Sequence, residues 1–184
     1  ENAIALLMSV MRKVREASWK VKEGKWAERA KFVGSEIKGK TAGVIGFGNI
    51  GSRVGEILQH GFNAHVIVYD PGISAEEIRA RGATPVSLEE LLSTADIISL
   101  NACITPDNYH LLSVKEFSLL KKSVFIVNTA RGELMDEAAL KSALDNKTVA
   151  GIGLDVLEGE PITEEHPLLA YENVVITPHT SAYT

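Results

Sequence analysis

The stretch Thr41-Ala42-Gly43-Val44-Ile45-Gly46-Phe47-Gly48-Asn49-Ile50-Gly51 begins a unit that closes on Val66-Ile67-Val68-Tyr69-Asp70. It reads as an apolar strand from Thr41 to Gly46, a glycine-rich turn, an apolar-periodic helix and a second strand ending in an acid. A lone G-x-G-x-x-G is a weak signal. Between a strand and a helix, with an acid about 20 residues further on, it specifies a dinucleotide-binding βαβ unit. Gly46 permits the tight turn, Gly48 lets backbone approach a pyrophosphate, and Gly51 lets the helix pack on the strand. The helix N-terminus then offers unpaired N–H groups and a positive dipole end to the phosphates. Asp70 is placed to accept hydrogen bonds from the adenosine ribose. Its charge would repel a 2′-phosphate, and no Arg or Lys follows it directly, so NAD is expected rather than NADP.

Working outward, the 184 residues suit one domain with a sizeable core. Hydrophobic content of 45% and charged content of 23% are those of an ordinary globular chain. A formal net charge of -5 argues against a nucleic-acid footprint, which needs a basic face. The N-terminal bases Arg12, Lys13, Arg15, Lys20, Lys22 and Lys25 interleave with Glu16, Glu23 and Glu28, as on a solvated helix. Cys103 is the single cysteine, which rules out an intrachain disulfide and suits a reducing, cytoplasmic setting. It is expected to be a small buried hydrophobe. No apolar run reaches membrane-spanning length, so no membrane association is expected. Residues Ala3 to Val14 lack a signal-peptide pattern. The sequence starts at Glu1 without an initiator Met and stops just after Thr177-Pro178-His179, so an excised domain is expected.

Ala3 to about Lys22 places Ile4, Leu7, Met8, Met11 and Val14 on one face of a helix. Trp19 and Trp26 are expected to serve packing or an interface. Short apolar runs then alternate with helical stretches: Val66 to Tyr69, Ile97 to Leu100, Val124 to Val127, Ile152 to Val156 and Val174 to Ile176. Nearly continuous apolarity marks parallel strands covered on both faces. Ser87 to Glu90 and Ser113 to Glu116 fit capping boxes, and Asp136 is expected to cap a further helix. The order implies right-handed crossovers and an α/β, Rossmann-type, doubly wound parallel sheet with helices on both faces.

In such a sheet the ligand lies beyond the C-terminal strand ends. The polar residues there are therefore candidates. Arg131, after Phe125 to Asn128, could clamp a carboxylate with a fork of hydrogen bonds. His179, after Val174 to Ile176, suits proton exchange in alcohol–carbonyl interconversion near neutrality. Glu158 and Glu160 compete to orient it, and sequence physics leaves that choice open. Asp155 could accept from a nicotinamide carboxamide, or cap a turn. His60, His65, His110 and His166 are expected to be structural or exposed, and their spacing predicts no metal site.

Together these residues resemble the D-isomer-specific 2-hydroxyacid dehydrogenase family. The matching stretches are Gly34 to Thr41, Val44 to Gly51, Val127-Asn128-Thr129-Ala130-Arg131-Gly132, Leu154-Asp155-Val156 through Glu160-Pro161, and Thr177-Pro178-His179. The resemblance implies a catalytic set of Arg131 on the substrate, His179 as acid/base and Glu160, over Glu158, as its partner. It implies that Asn49, Ile50, Asp70, Thr129, Ala130, Arg131, Asp155 and His179 surround NAD. It further implies a small 2-keto or 2-hydroxy acid substrate and a substrate domain absent from this chain. Residues 1–184 would form the NAD-binding domain, led by an interdomain or dimer helix over 1–31, in a homodimer. An NADH-sensing corepressor of the C-terminal binding protein type is the alternative, since Thr177 to Tyr183 looks similar to that group. Formate dehydrogenases pair the histidine with glutamine, and Glu160 counts against them.

Overall fold

The computed structural model describes residues 1–183. Two helices lead, α1 (Asn2–Met11) and α2 (Val14–Lys22), and the first βαβ unit follows as β1 (Thr41–Ile45), α3 (Asn49–Glu56) and β2 (His65–Tyr69). Next come α4 (Ala75–Ala80), β3 (Thr84–Pro85), α5 (Leu88–Thr94), β4 (Ile97–Leu100), α6 (Val114–Leu119) and β5 (Val124–Asn128). The chain ends with α7 (Glu137–Asp145), β6 (Val149–Leu154) and β7 (Val174–Ile176).

All seven strands pair in parallel, in the order β3-β2-β1-β4-β5-β6-β7. Alternate residues of the central strands feed two cores, one on each face. Leu91 and Leu92 of α5, Phe117 of α6 and Leu140 of α7 cover Ile98, Ile126 and Ile152. On the other face Leu6, Leu7 and Met11 of α1, Val54 of α3 and Ile78 of α4 cover Val44, Val68 and Ile97. Each such side chain contributes about 1.5–3 kcal/mol by leaving water. This two-sided burial explains why the strands read as nearly continuous apolar runs.

Three local outcomes differ from the sequence expectation. The leading helix is two helices, broken at Lys13 (φ 53°). The chain returning at Ser35 donates its N–H to Met11 O (2.8 Å), so the end of α1 is capped by tertiary contact. Val14, expected on the buried face, is 54% exposed. Strand β6 begins earlier than expected and ends at Leu154. Its Gly153 is read poorly by periodicity but is required by packing, since a Cβ there would lie 2.8 Å from Leu6 Cβ on α1. The two-residue β3 carries too little apolar pattern to be found.

The helix starts follow their capping chemistry, with the expected box complete at Ser113 and half formed at Ser87. Ser113 and Glu116 complete both halves of a capping box, Ser87 accepts from Glu90 N–H, and Asp136 accepts from Ala138 and Ala139 N–H. Between β1 and β4 the connections leave in opposite directions, which opens a crevice at their C-terminal ends.

Candidate functional site

The crevice holds the glycine turn. Gly46 takes φ 85°, and a Cβ there would stand 2.5 Å from Ala102 N in the segment after β4. At Gly51 a Cβ would stand 1.9 Å from Gly46 O, so helix α3 can meet the strand only with glycine at that place. Gly48, by contrast, has nothing within 4 Å of its missing Cβ. Its open side and the first N–H groups of α3, at Asn49, Ile50 and Gly51, fit a diphosphate.

Asp70 lies at the end of β2, where its Oδ2 accepts from Phe47 N–H (2.6 Å) and its Oδ1 from Gly72 N–H (2.8 Å). The acid thus holds the glycine turn in shape as well as lining the crevice. Arg81, just past α4, donates to Phe47 O (3.2 Å) and lies over the Phe47 ring, completing a bracket that sequence reasoning missed. The crevice has a volume of about 490 Å³ and is walled by Gly46, Gly48 and Asp70 on one side and by Asn101 to Cys103, Thr105 and Asn108 on the other. Among the described residues, Asn101 Oδ1 is buried there without a donor. Cys103 is exposed on this wall rather than buried, because the segment after β4 turns outward to line the crevice.

Because every strand is parallel, the ends of β5, β6 and β7 share this edge of the sheet. Asn128 closes β5 fully buried; its Oδ1 accepts from Ala130 N–H (3.0 Å) and its Nδ2 donates to Arg131 O (2.8 Å). A polar residue ending an apolar strand was the available signal for this support of the Thr129–Arg131 loop. Arg131 is exposed and spends one Nη1 hydrogen bond on Ala130 O (2.7 Å).

Asp155 follows β6 and is 1% exposed. Its carboxylate accepts from Thr177 Oγ1, Thr180 N–H (3.0 Å) and Ser181 N–H (2.8 Å). Burial pushes its pKa up, but the hydrogen bonds from Ser181, Thr177 and Thr180 outweigh that and hold the carboxyl below its usual range. Of the two roles expected for Asp155, the structure shows the turn cap. Its carbonyl also receives the N–H of His179 (2.9 Å), which sits at φ 52°.

Of the two competing acids, Glu160 meets the histidine, with Oε1 2.9 Å from His179 Nδ1. Glu158 instead bonds Tyr109 Oη and His110 Nε2 (3.0 Å). His166 pairs with Glu137 at 3.1 Å. Among the described residues no three His, Cys, Asp or Glu side chains are grouped to hold a metal, and no helix is long and apolar enough to cross a membrane.

The model of the D-isomer specific 2-hydroxyacid dehydrogenase NAD binding domain matches residues 4–181. The chain belongs to that family. A D-3-phosphoglycerate dehydrogenase of Archaeoglobus fulgidus is 42% identical over 184 residues, covering 100% of this chain and 34% of the relative. A glyoxylate reductase of Korarchaeum cryptofilum is 38% identical over 183 residues, covering 98% of this chain and 55% of the relative. The chain thus spans a third to about half the length of these dehydrogenases. Among solved structures, a D-lactate dehydrogenase from Aquifex aeolicus complexed with NAD and lactic acid superposes with TM-score 0.89 at 31% identity, covering 99% of this chain and 59% of that one. The seven-stranded parallel sheet is the Rossmann-type NAD-binding fold of this family.

Proposed function

We propose that this chain is the coenzyme-binding half of an NAD-dependent enzyme that interconverts 2-keto acids and D-2-hydroxy acids. The Glu160–His179 hydrogen bond, on the same sheet edge as Arg131 and the glycine turn, carries the proposal. A carboxylate only accepts, so Nδ1 holds a proton and Nε2 is the nitrogen left to exchange one. In the reducing direction the imidazolium gives its Nε2 proton to the carbonyl oxygen, and Glu160 stabilises the charged ring beforehand. Arg131 retains N–H groups with no partner among the described residues, a fork suited to a carboxylate and the adjacent carbonyl. The chemistry at carbon is hydride donation, which NADH supplies when bound. Gly46, Gly48, Asn49, Ile50 and Gly51 hold the diphosphate in this reading, Asp70 the ribose, and Thr129 and Ala130 the nicotinamide side. Asp155 positions His179 through the turn it caps.

The additional length of the relatives would supply the substrate domain, whose closure excludes water. Residues 1–31 would meet that domain or a second copy in a homodimer; Trp19 and Trp26, 61% and 67% exposed, are the apolar surface such a contact would cover. The single cysteine fits a cytoplasmic setting. The isolated chain is expected to bind NAD and turn over little.

The test is a panel of 2-keto acids with the full-length protein, following NADH absorbance. His179→Ala should lower turnover by roughly 10²–10⁴-fold, the loss of a general acid–base group, with NADH binding retained. Peptide binding gated by NADH, with no keto acid reduced, would replace this reading with the corepressor one.

A further inference from the structure

Glu158, which does not face His179, is tied to three loops at once. Its carboxylate accepts from Tyr109 Oη and meets His110 Nε2 at 3.0 Å, and the two rings stack with centroids 4.1 Å apart. Its own N–H donates to Glu137 Oε1 (3.0 Å) at the start of α7, just beyond the Arg131 loop. Beside it, the Leu157–Glu158 peptide presses on Gly132 so closely that a Cβ there would lie 2.1 Å from Leu157 C. His110 N–H in turn donates to Glu133 O (2.8 Å), and Leu112 N–H to Leu134 O (3.0 Å). Tyr109 and His110 follow the segment in which Asn101 to Cys103, Thr105, Asp107 and Asn108 wall the crevice. Glu158 therefore stands where the crevice wall, the Arg131 loop and the Glu160 loop meet.

We propose that Glu158 is a positioning residue: through Tyr109 and His110 it pins the crevice wall and the Arg131 loop to the loop that carries Glu160. Resting on the dehydrogenase reading above, this places the substrate clamp and the acid–base pair in one frame. The charge state suits the task. Hydrogen bonds from Tyr109 first and His110 second hold the Glu158 carboxyl below its usual range, and the same bond to Glu158 raises the Tyr109 phenol. Magnitudes separate this role from simple stabilisation. The His110 and Glu158 side chains are 28% and 31% exposed, and partly solvated pairs contribute little to global stability. A misplacement of about 1 Å at a substrate clamp can cost about 10²-fold in rate. Removing the latch should therefore move the kinetics more than the melting temperature.

In the full-length protein Glu158→Ala is expected to raise the keto-acid KM about tenfold with a smaller fall in kcat. Glu158→Gln, whose amide can bond both rings, is expected to restore most of it. Tyr109→Phe combined with His110→Ala should reproduce the Glu158→Ala effect, and adding Glu158→Ala to that pair should change nothing further. An unchanged KM in Glu158→Ala, or no recovery in Glu158→Gln, would overturn the proposal. Amide hydrogen exchange on the chain itself gives an arm independent of turnover. Glu158→Ala should speed exchange at His110, Leu112 and Leu134 about tenfold, with melting within about 2 °C of wild type. Unchanged exchange at those amides refutes the latch. Faster exchange together with no keto-acid reduction by the wild-type full-length protein supports the latch and sinks the dehydrogenase reading alone.

Discussion

An alanine at position 132 would put a methyl group 2.1 Å from Leu157 C, 2.3 Å from Glu158 N and 2.4 Å from Leu157 O. Nonbonded carbons sit best at about 3.5–4 Å, so relieving the clash asks one backbone to retreat by about 1 Å or more. Neither can retreat cheaply. On one side the buried Asn128 holds Ala130 N–H and Arg131 O; on the other Glu158 is held by Glu137, Tyr109 and His110. Overpacking against side chains costs about 1–3 kcal/mol; with backbone as the obstacle, Gly132→Ala should reach the top of that range. At roughly 2–4 °C per kcal/mol for a chain of this size, melting should fall by about 6–12 °C. In the full-length protein kcat/KM should fall about 10²-fold because Arg131 or Glu160 moves with the loop. Calorimetric melting and keto-acid kinetics measure the two effects. Melting within about 1 °C of wild type, with kcat/KM within twofold, would refute the packing argument and the placement of the Arg131 loop together.

Gly48→Ala should behave in the opposite way: the site is open and φ is -69°, so melting should change little, whereas titration calorimetry should find NAD binding weakened by at least tenfold. Equal affinity would mean that the diphosphate does not approach there. Stability should also depend on acid pH, because the buried Asp155 is held below its usual pKa. A depressed carboxyl contributes stability that is complete above its unfolded pKa of about 4 and is lost as pH falls through the folded value. Melting should thus be flat from about pH 7 to 5 and drop below about pH 4, with a shallower drop in Asp155→Asn; a pH-independent melting temperature would contradict the assignment.

The sheet was legible because its strands are buried on both faces, which writes apolar runs such as Ile97–Leu100 directly into the chain. The glycine turn was legible for the same local reason: Gly46, Gly51 and Asp70 act within one βαβ unit. What escaped depends on contacts distant in sequence. The break after α1 needs Ser35, and the early start of β6 comes with a glycine, Gly153, that packs beneath Leu6. Cys103 looks like a core residue in its own neighbourhood and is exposed only because the crevice wall leaves the sheet there. The carboxylate of Asp155 suits a turn or a ligand in the sequence, and the donors that make it a turn cap, Thr177, Thr180 and Ser181, lie more than 20 residues away.

The choice between Glu158 and Glu160 shows why spacing alone could not resolve the site. Two residues apart on an extended chain, both acids would point the same way and compete for the same histidine. Between them Gly159 adopts φ 72°, a left-handed conformation that costs an L-residue about 1–2 kcal/mol. The chain turns there, so the alternation is broken. Glu158 turns to Tyr109 and His110, and Glu160 reaches His179. No Cβ at Gly159 would meet another atom within 4 Å, so the requirement for glycine is conformational rather than steric. The division of labour between the two acids, one holding loops and the other holding a proton donor, therefore goes with a backbone turn in which Gly159 takes the left-handed region. Side-chain chemistry alone, identical in the two glutamates, has no means of producing it.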